Sequence, residues 1–138
     1  MSAGTEQRVY SLDGYHVIKL NDSIFYAFWL DYFNSLIIHN YFFPSTRYDF
    51  LGFKAINGKL FAVVKQVFIT ATEATDLQHV KKFLAFNHFA HKRNNDYYNE
   101  DLGIISEDLH DENVLSNNGV LFFIDTVFYL TKDFYSNS

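Results

Sequence analysis

The sequence predicts an α+β fold made of antiparallel hairpins, and three observations carry that reading. Apolar, β-rich runs come in adjacent pairs, joined by Asp13-Gly14, Asn57-Gly58 and Asn117-Asn118-Gly119. Such short turns connect neighbouring antiparallel strands. Two segments of helical periodicity separate the pairs, giving the order β-β-α-β-β-α-(loop)-β-β. Hairpins rather than crossovers therefore join the strands, which argues against a doubly wound parallel sheet.

Each element has its own local cause. Arg8–Leu12 and Tyr15–Asn21 read as the first two strands around Asp13-Gly14. Asn21-Asp22-Ser23 offers helix-start chemistry ahead of a helix over Ile24–His39, with Phe25, Phe28, Trp29, Tyr32, Phe33, Leu36 and Ile37 at the i, i+3, i+4 spacing of a buried face. Pro44 ends that segment. Leu51–Ile56 and Lys59–Ile69 flank Asn57-Gly58, the strongest type I′ signal in the chain. Thr75-Asp76 opens a second helix to Asn87, with Leu77, Val80, Phe83 and Leu84 on one face. His91–Asp101 reads as a polar, solvated loop. Leu102–Ser106 follows, then the segment Glu107–Asn113, then a hairpin of Val114–Ser116 with Val120–Asp125.

Composition limits the function classes. A chain of 138 residues has the length of one domain, and 49% hydrophobic residues supply a core. A net charge of −5 disfavours a nucleic-acid partner, because no positive footprint matches a phosphate backbone. The absence of cysteine excludes disulfides, zinc–thiolate centres and thiol nucleophiles. Tyr32–Thr46 is the longest stretch without Asp, Glu, Lys or Arg, and Asn34, His39, Asn40 and Pro44 interrupt it. It is too short and too polar to span a bilayer, and the N-terminus lacks the apolar run of a signal peptide. These features read as a soluble, cytoplasmic protein without a membrane partner. The histidines show no metal-ligand spacing: His88 and His91 stand at i, i+3, but no third ligand follows in register.

Chemistry concentrates near the C-terminus. Between Asn94 and Thr131 lie Asp96, Glu100, Asp101, Glu107, Asp108, Asp111, Glu112 and Asp125, half of the 16 carboxylates of the chain, with no Lys or Arg among them. Asp108 follows the apolar run Leu102-Gly-Ile-Ile-Ser, and Asp125 ends Val120-Leu-Phe-Phe-Ile. Carboxylates leaving strands beside tight turns are placed to offer oxygen ligands to a hard cation.

Asp108-Leu109-His110-Asp111-Glu112-Asn113 resembles the catalytic loop of protein-kinase-like phosphotransferases, in which the catalytic Asp precedes a metal-binding Asn by five positions. Ile124-Asp125-Thr126 resembles the metal-binding motif that follows it. His16-Val17-Ile18-Lys19 is similar to the strand carrying the phosphate-binding lysine, and Gly4-Thr5-Glu6-Gln7-Arg8 to the tail of a glycine-rich loop. The set, collinear over nearly the whole chain, resembles the kinase domain of polyvalent proteins from bacterial mobile elements.

That resemblance implies a truncated kinase-like domain over 1–138, with a small antiparallel-sheet lobe over 1–69 that holds one helix. A hinge leads to a reduced second lobe over 70–138, which carries the catalytic loop and metal-binding hairpin. It implies ATP and Mg²⁺ as cofactors, Asp108 as the catalytic base, and Asn113 and Asp125 as metal ligands. Lys19 would hold the α- and β-phosphates under the Gly4 loop. Backbone groups of Gln66–Ile69, Gln66 and Phe68 among them, would meet the adenine edge. The acceptor stays unidentified, although His110 is similar to the residue that small-molecule kinases of the aminoglycoside or choline type carry there.

The sequence also departs from the family pattern. Asp31 is the only acid in Ile24–His39, so no glutamate is present to pair with Lys19. Ser106-Glu107 precede Asp108 in place of His-Arg, and Thr126-Val127 replace Phe-Gly. The resemblance begins inside the glycine-rich loop. Two alternatives therefore stand beside the phosphotransferase: a catalytically inactive, pseudokinase-like module of a larger polypeptide that binds a protein partner, and a structural α+β domain with a solvated acidic face.

Overall fold

A computed structural model of the chain describes residues 7–22 and 26–136. The chain divides into two compact units, the first ending at Phe68 and the second beginning at Ile69.

In the first unit, β1 (Gln7–Ser11), β2 (His16–Asn21), β3 (Asp49–Ile56) and β4 (Lys59–Val67) form an antiparallel sheet of order β1-β2-β4-β3. The β3–β4 turn is the expected one: Asn57 and Gly58 both take positive φ, 51° and 78°, as type I′ requires. The β1–β2 connection differs. Asp13 acts through its carboxylate, accepting from the Tyr15 and His16 amides at 2.9 Å, so the strands separate one residue earlier on each side.

α1 spans Trp29–Phe42 and not Ile24–His39. The Asn21-Asp22-Ser23 signal does not cap it: the Asp22 carboxylate pairs with Lys59 at 3.0 Å, and Phe28 stands at the N-cap position without a side-chain bond. Phe25 lies outside the described residues. The buried face is Tyr32, Ser35, Ile38 and His39, whereas Phe28 and Ile37 are 72% and 66% exposed. Apolar side chains occur on nearly every side of this helix, so periodicity alone could not select the face. Polar pairing and ring contacts select it. Tyr26 donates to Ser35 Oγ at 2.9 Å, and buried His39 donates from Nε2 to the Thr46 carbonyl at 2.8 Å. Trp29 and Phe33 meet Phe53 and Phe50 of β3 edge-on at 5.2 and 5.0 Å, the orientation that ring quadrupoles favour.

In the second unit, α2 covers Leu77–Phe86. Asp76 caps it by accepting from the Gln78 amide at 2.9 Å, and Val80 and Leu84 are buried as expected. The polar stretch His91–Asp101 is not a loop. It holds the hairpin of β5 (Ala90–Arg93) and β6 (Asp96–Asn99), turned at Asn94 with φ +49°. Alternation had been hidden by polarity: Tyr97 and Asn99 point inward, and Asn99 Oδ1 accepts from the Leu102 amide at 3.0 Å.

β7 (Ile104–Glu107) and β10 (Val127–Leu130) complete a sheet of order β10-β7-β6-β5, while β8 (Val114–Asn117) and β9 (Val120–Phe123) form a separate hairpin. β10 was not anticipated from sequence, nor was the short α3 (Lys132–Ser136). No helix among the described residues is long and apolar enough to cross a membrane.

Candidate functional site

Within the first unit, Lys19 lies on β2 opposite Val64 of β4 and is only 6% exposed. Its Nζ sits 5.7 Å from the centroid of the Tyr48 ring, a cation–π arrangement. Strand lysines commonly turn to solvent, and Lys19 does not. Tyr48 in turn lies 4.3 Å from the His39 ring. Gln66 is buried on β4, and its Nε2 donates to the Thr46 carbonyl at 2.8 Å, the same oxygen that takes the His39 proton. One carbonyl with two lone pairs thereby fixes two buried polar side chains. Phe68, just beyond β4, is exposed, and its amide donates to the Tyr15 carbonyl at 2.7 Å. Gly4 lies outside the described residues.

In the second unit, the turn after β7 is built around Asp108. Its φ of +63° reverses the chain as the strand ends; a short polar side chain tolerates this left-handed region better than most. Two bonds from the β5–β6 turn hold the reversal. Asp96 Oδ1 accepts from the Asp108 amide at 3.1 Å, and the Asn95 carbonyl accepts from the Leu109 amide at 2.9 Å. Leu109 is buried and anchors the loop, which leaves the Asp108 carboxylate exposed, with Oδ1 3.4 Å from His110 Nε2.

Asn113 closes the loop. Its amide donates to the His110 carbonyl at 3.0 Å, and its Nδ2 donates to the Asp108 carbonyl at 2.6 Å. Its own carbonyl accepts from the Ile124 and Asp125 amides, at 3.0 and 3.4 Å. Asp108, Asn113 and Asp125 are therefore gathered by direct hydrogen bonds within one unit, and Nδ2 donation leaves Oδ1 as the acceptor end of the Asn113 amide. Asp96 was visible only as one acid of the block, and its framing role with Asn95 escaped the sequence reading, since no local signal links a hairpin turn to a loop twelve positions later.

Among the described residues, no group of three His, Asp or Glu side chains is arranged to hold a metal ion. An Asn oxygen and a carboxylate are nevertheless hard donors. Mg²⁺ is commonly held by one or two carboxylates together with phosphate oxygens and water, so a sparse oxygen set of this kind fits it.

A family model for the serine/threonine/tyrosine kinase found in polyvalent proteins matches residues 1–132. No curated protein and no solved structure matches the chain.

Proposed function

Because the chain belongs to the kinase family found in polyvalent proteins, we propose that it is a minimal phosphotransferase using Mg–ATP. The observation that carries this reading is the bonding of Asn113, whose side chain donates to the Asp108 carbonyl while its carbonyl accepts from the Asp125 amide. Phosphoryl transfer asks for positioning and charge neutralisation rather than covalent chemistry by the protein. A backbone-locked base and two oxygen ligands meet that demand.

In the proposed reaction, bound Mg–ATP supplies the phosphoryl group and the divalent charge that offsets its oxygens. Asp108 takes the proton of the acceptor hydroxyl. The acceptor oxygen bonds to the γ-phosphorus as the bond to the bridging oxygen breaks, and that electron pair leaves with ADP. Asn113 Oδ1 and the Asp125 carboxylate would hold the metal. Lys19 would meet the α- and β-phosphates beneath the Gly4 segment. Gln66 and Phe68 would border the adenine, with the buried Gln66 side chain stiffening the strand and the exposed Phe68 ring offering apolar surface. Residues 1–69 then act as the small lobe and 70–138 as a reduced second lobe of one domain.

A second reading has its own support. Lys19 Nζ lies against the Tyr48 ring, and Asp31 is the only acid of α1. Such a lysine also suits a pseudokinase-like module that contacts a protein partner.

Thermal unfolding with and without Mg–ATP separates the two. Ligand at about 100 times its dissociation constant stabilises by about 2.7 kcal/mol, a shift of about 5–10 °C for a domain of this size. The expected shift requires Mg²⁺ and is lost in Asp125→Ala. No shift at millimolar Mg–ATP would sink the phosphotransferase reading and favour the binding module.

A further inference from the structure

A cavity of about 490 Å³ opens in the second unit on one face of the β10-β7-β6-β5 sheet, a volume suited to a small ligand or a long side chain. Alternation along the strands sets most of its lining. Asp96 and Tyr98 of β6 and Ile105 and Glu107 of β7 point into it, while Asn99, Ile104 and Ser106 turn to the core; Tyr97, largely buried, also borders it. Lys92 and Arg93 of β5 form another wall.

The charges in this cavity are unevenly matched. Tyr97 pairs with Ser106, so the continuing register sets Asp96 beside Glu107, two like charges that oppose each other across strands. Arg93 pairs with Asp96 in the β5–β6 register, and Lys92 Nζ sits 5.4 Å from the centroid of the Tyr98 ring. Burial first, then Asp96 and Asp108, push the Glu107 carboxyl above its ordinary value, and Arg93 only partly offsets them. A further cation beside Glu107 would remove that conflict. The same cavity adjoins the proposed reaction centre, because Asp96 holds the Asp108 amide.

We propose that this cavity receives the lysine or arginine side chain that neighbours the acceptor hydroxyl in a basic peptide, so that cationic peptides are the preferred substrates. The aliphatic stem would lie along Ile105 and Tyr98 and the charged head would meet Glu107 and Asp96, a division that long cationic side chains commonly adopt. A peptide fits better than a small amine because the loop that carries Asp108 adds two further acids, Asp111 and Glu112, for a neighbouring basic residue. The inference rests on reading Asp108 as the base, and it deepens that reading by naming the acceptor class.

The test measures binding of short synthetic peptides to the full chain without nucleotide, at low salt. One peptide alternates Ser with Lys, a second Ser with Gln and a third Ser with Glu. The Ser–Lys peptide is expected to bind and the others not. Glu107→Gln should weaken binding about tenfold, the size of a lost charge-assisted contact. Glu100→Gln, an acid in the same block but outside the cavity, should change it less than about twofold. Glu107→Lys should abolish Ser–Lys binding, which guards against a structural artefact of the first variant if its unfolding curve stays cooperative. Absence of binding, or equal weakening by Glu107→Gln and Glu100→Gln, overturns the proposal. The Mg–ATP unfolding shift on the same samples keeps the two ideas apart. A shift without selective peptide binding refutes the cavity assignment alone. Selective peptide binding without a shift refutes phosphoryl transfer, and with it the role of the peptide as substrate.

Discussion

Ser106 is fully buried on β7, and its hydroxyl finds no hydrogen-bond partner among the described residues. Leaving a hydroxyl unpaired inside a protein costs about 1–3 kcal/mol. Ser106→Ala, which removes the hydroxyl and little volume, should therefore raise the unfolding free energy by about 1 kcal/mol in urea titration. A loss of stability would mean that the hydroxyl has a partner after all. Lys19 shows how far single residues could be read. Its place in His16-Val17-Ile18-Lys19 was legible, but the Tyr48 ring that receives its ammonium is remote in sequence. The Asp108–Asn113 pair was likewise visible as a spacing. Its hydrogen bond, and the two amides that Asn113 ties in from Ile124 and Asp125, depend on loop closure.

At the scale of elements, Gly103 shows how closely α3 is seated on the turn before β7. It has φ +70°, and a Cβ placed there would lie 2.2 Å from the Phe134 backbone nitrogen of α3. The Thr131 amide and hydroxyl both donate to its carbonyl, at 2.8 and 2.9 Å. Gly103→Ala would combine an unfavourable backbone conformation with a backbone collision, and should cost at least about 2 kcal/mol. Urea unfolding measures the loss; a change below about 0.5 kcal/mol would show that α3 simply moves aside. Turns were the most legible elements, because Asn-Gly pairs carry their conformation with them: Asn57-Gly58 and Asn118-Gly119 both have the positive φ values the sequence called for. The β5–β6 hairpin and β10 were not legible. Their strands are only four residues long; charged or polar residues occupy outward positions in β5 and β6, and β10 is a short apolar run, Val127-Phe-Tyr-Leu, with no alternation to mark it.

For the whole molecule, pH acts in opposite directions through three carboxylates. The Thr72 hydroxyl and the Gly119 amide hold Glu73 below its ordinary value, and the Tyr15 amide and His16 do the same for Asp13. Their stabilisation is complete above the ordinary carboxylate range and is lost as pH falls through their lowered values. Glu107 has the opposite sign: raised in the folded chain, it is a penalty when ionised and none below the ordinary glutamate pKa. Glu107→Gln should consequently raise Tm at neutral pH and leave it nearly unchanged around pH 4. Curves of Tm against pH that run parallel for the two proteins would refute this. The sequence by itself determined the α+β class, the hairpin turns, the order of the kinase-like motifs and the concentration of acid near the C-terminus. Those properties reside in local conformational preference and in composition. Only the tertiary structure decided which face of α1 is buried, where Lys19 rests, and that Asp96 supports Asp108 and opposes Glu107. Such contacts join residues far apart along the chain, and packing and hydrogen-bond satisfaction choose among arrangements that local preference leaves equal.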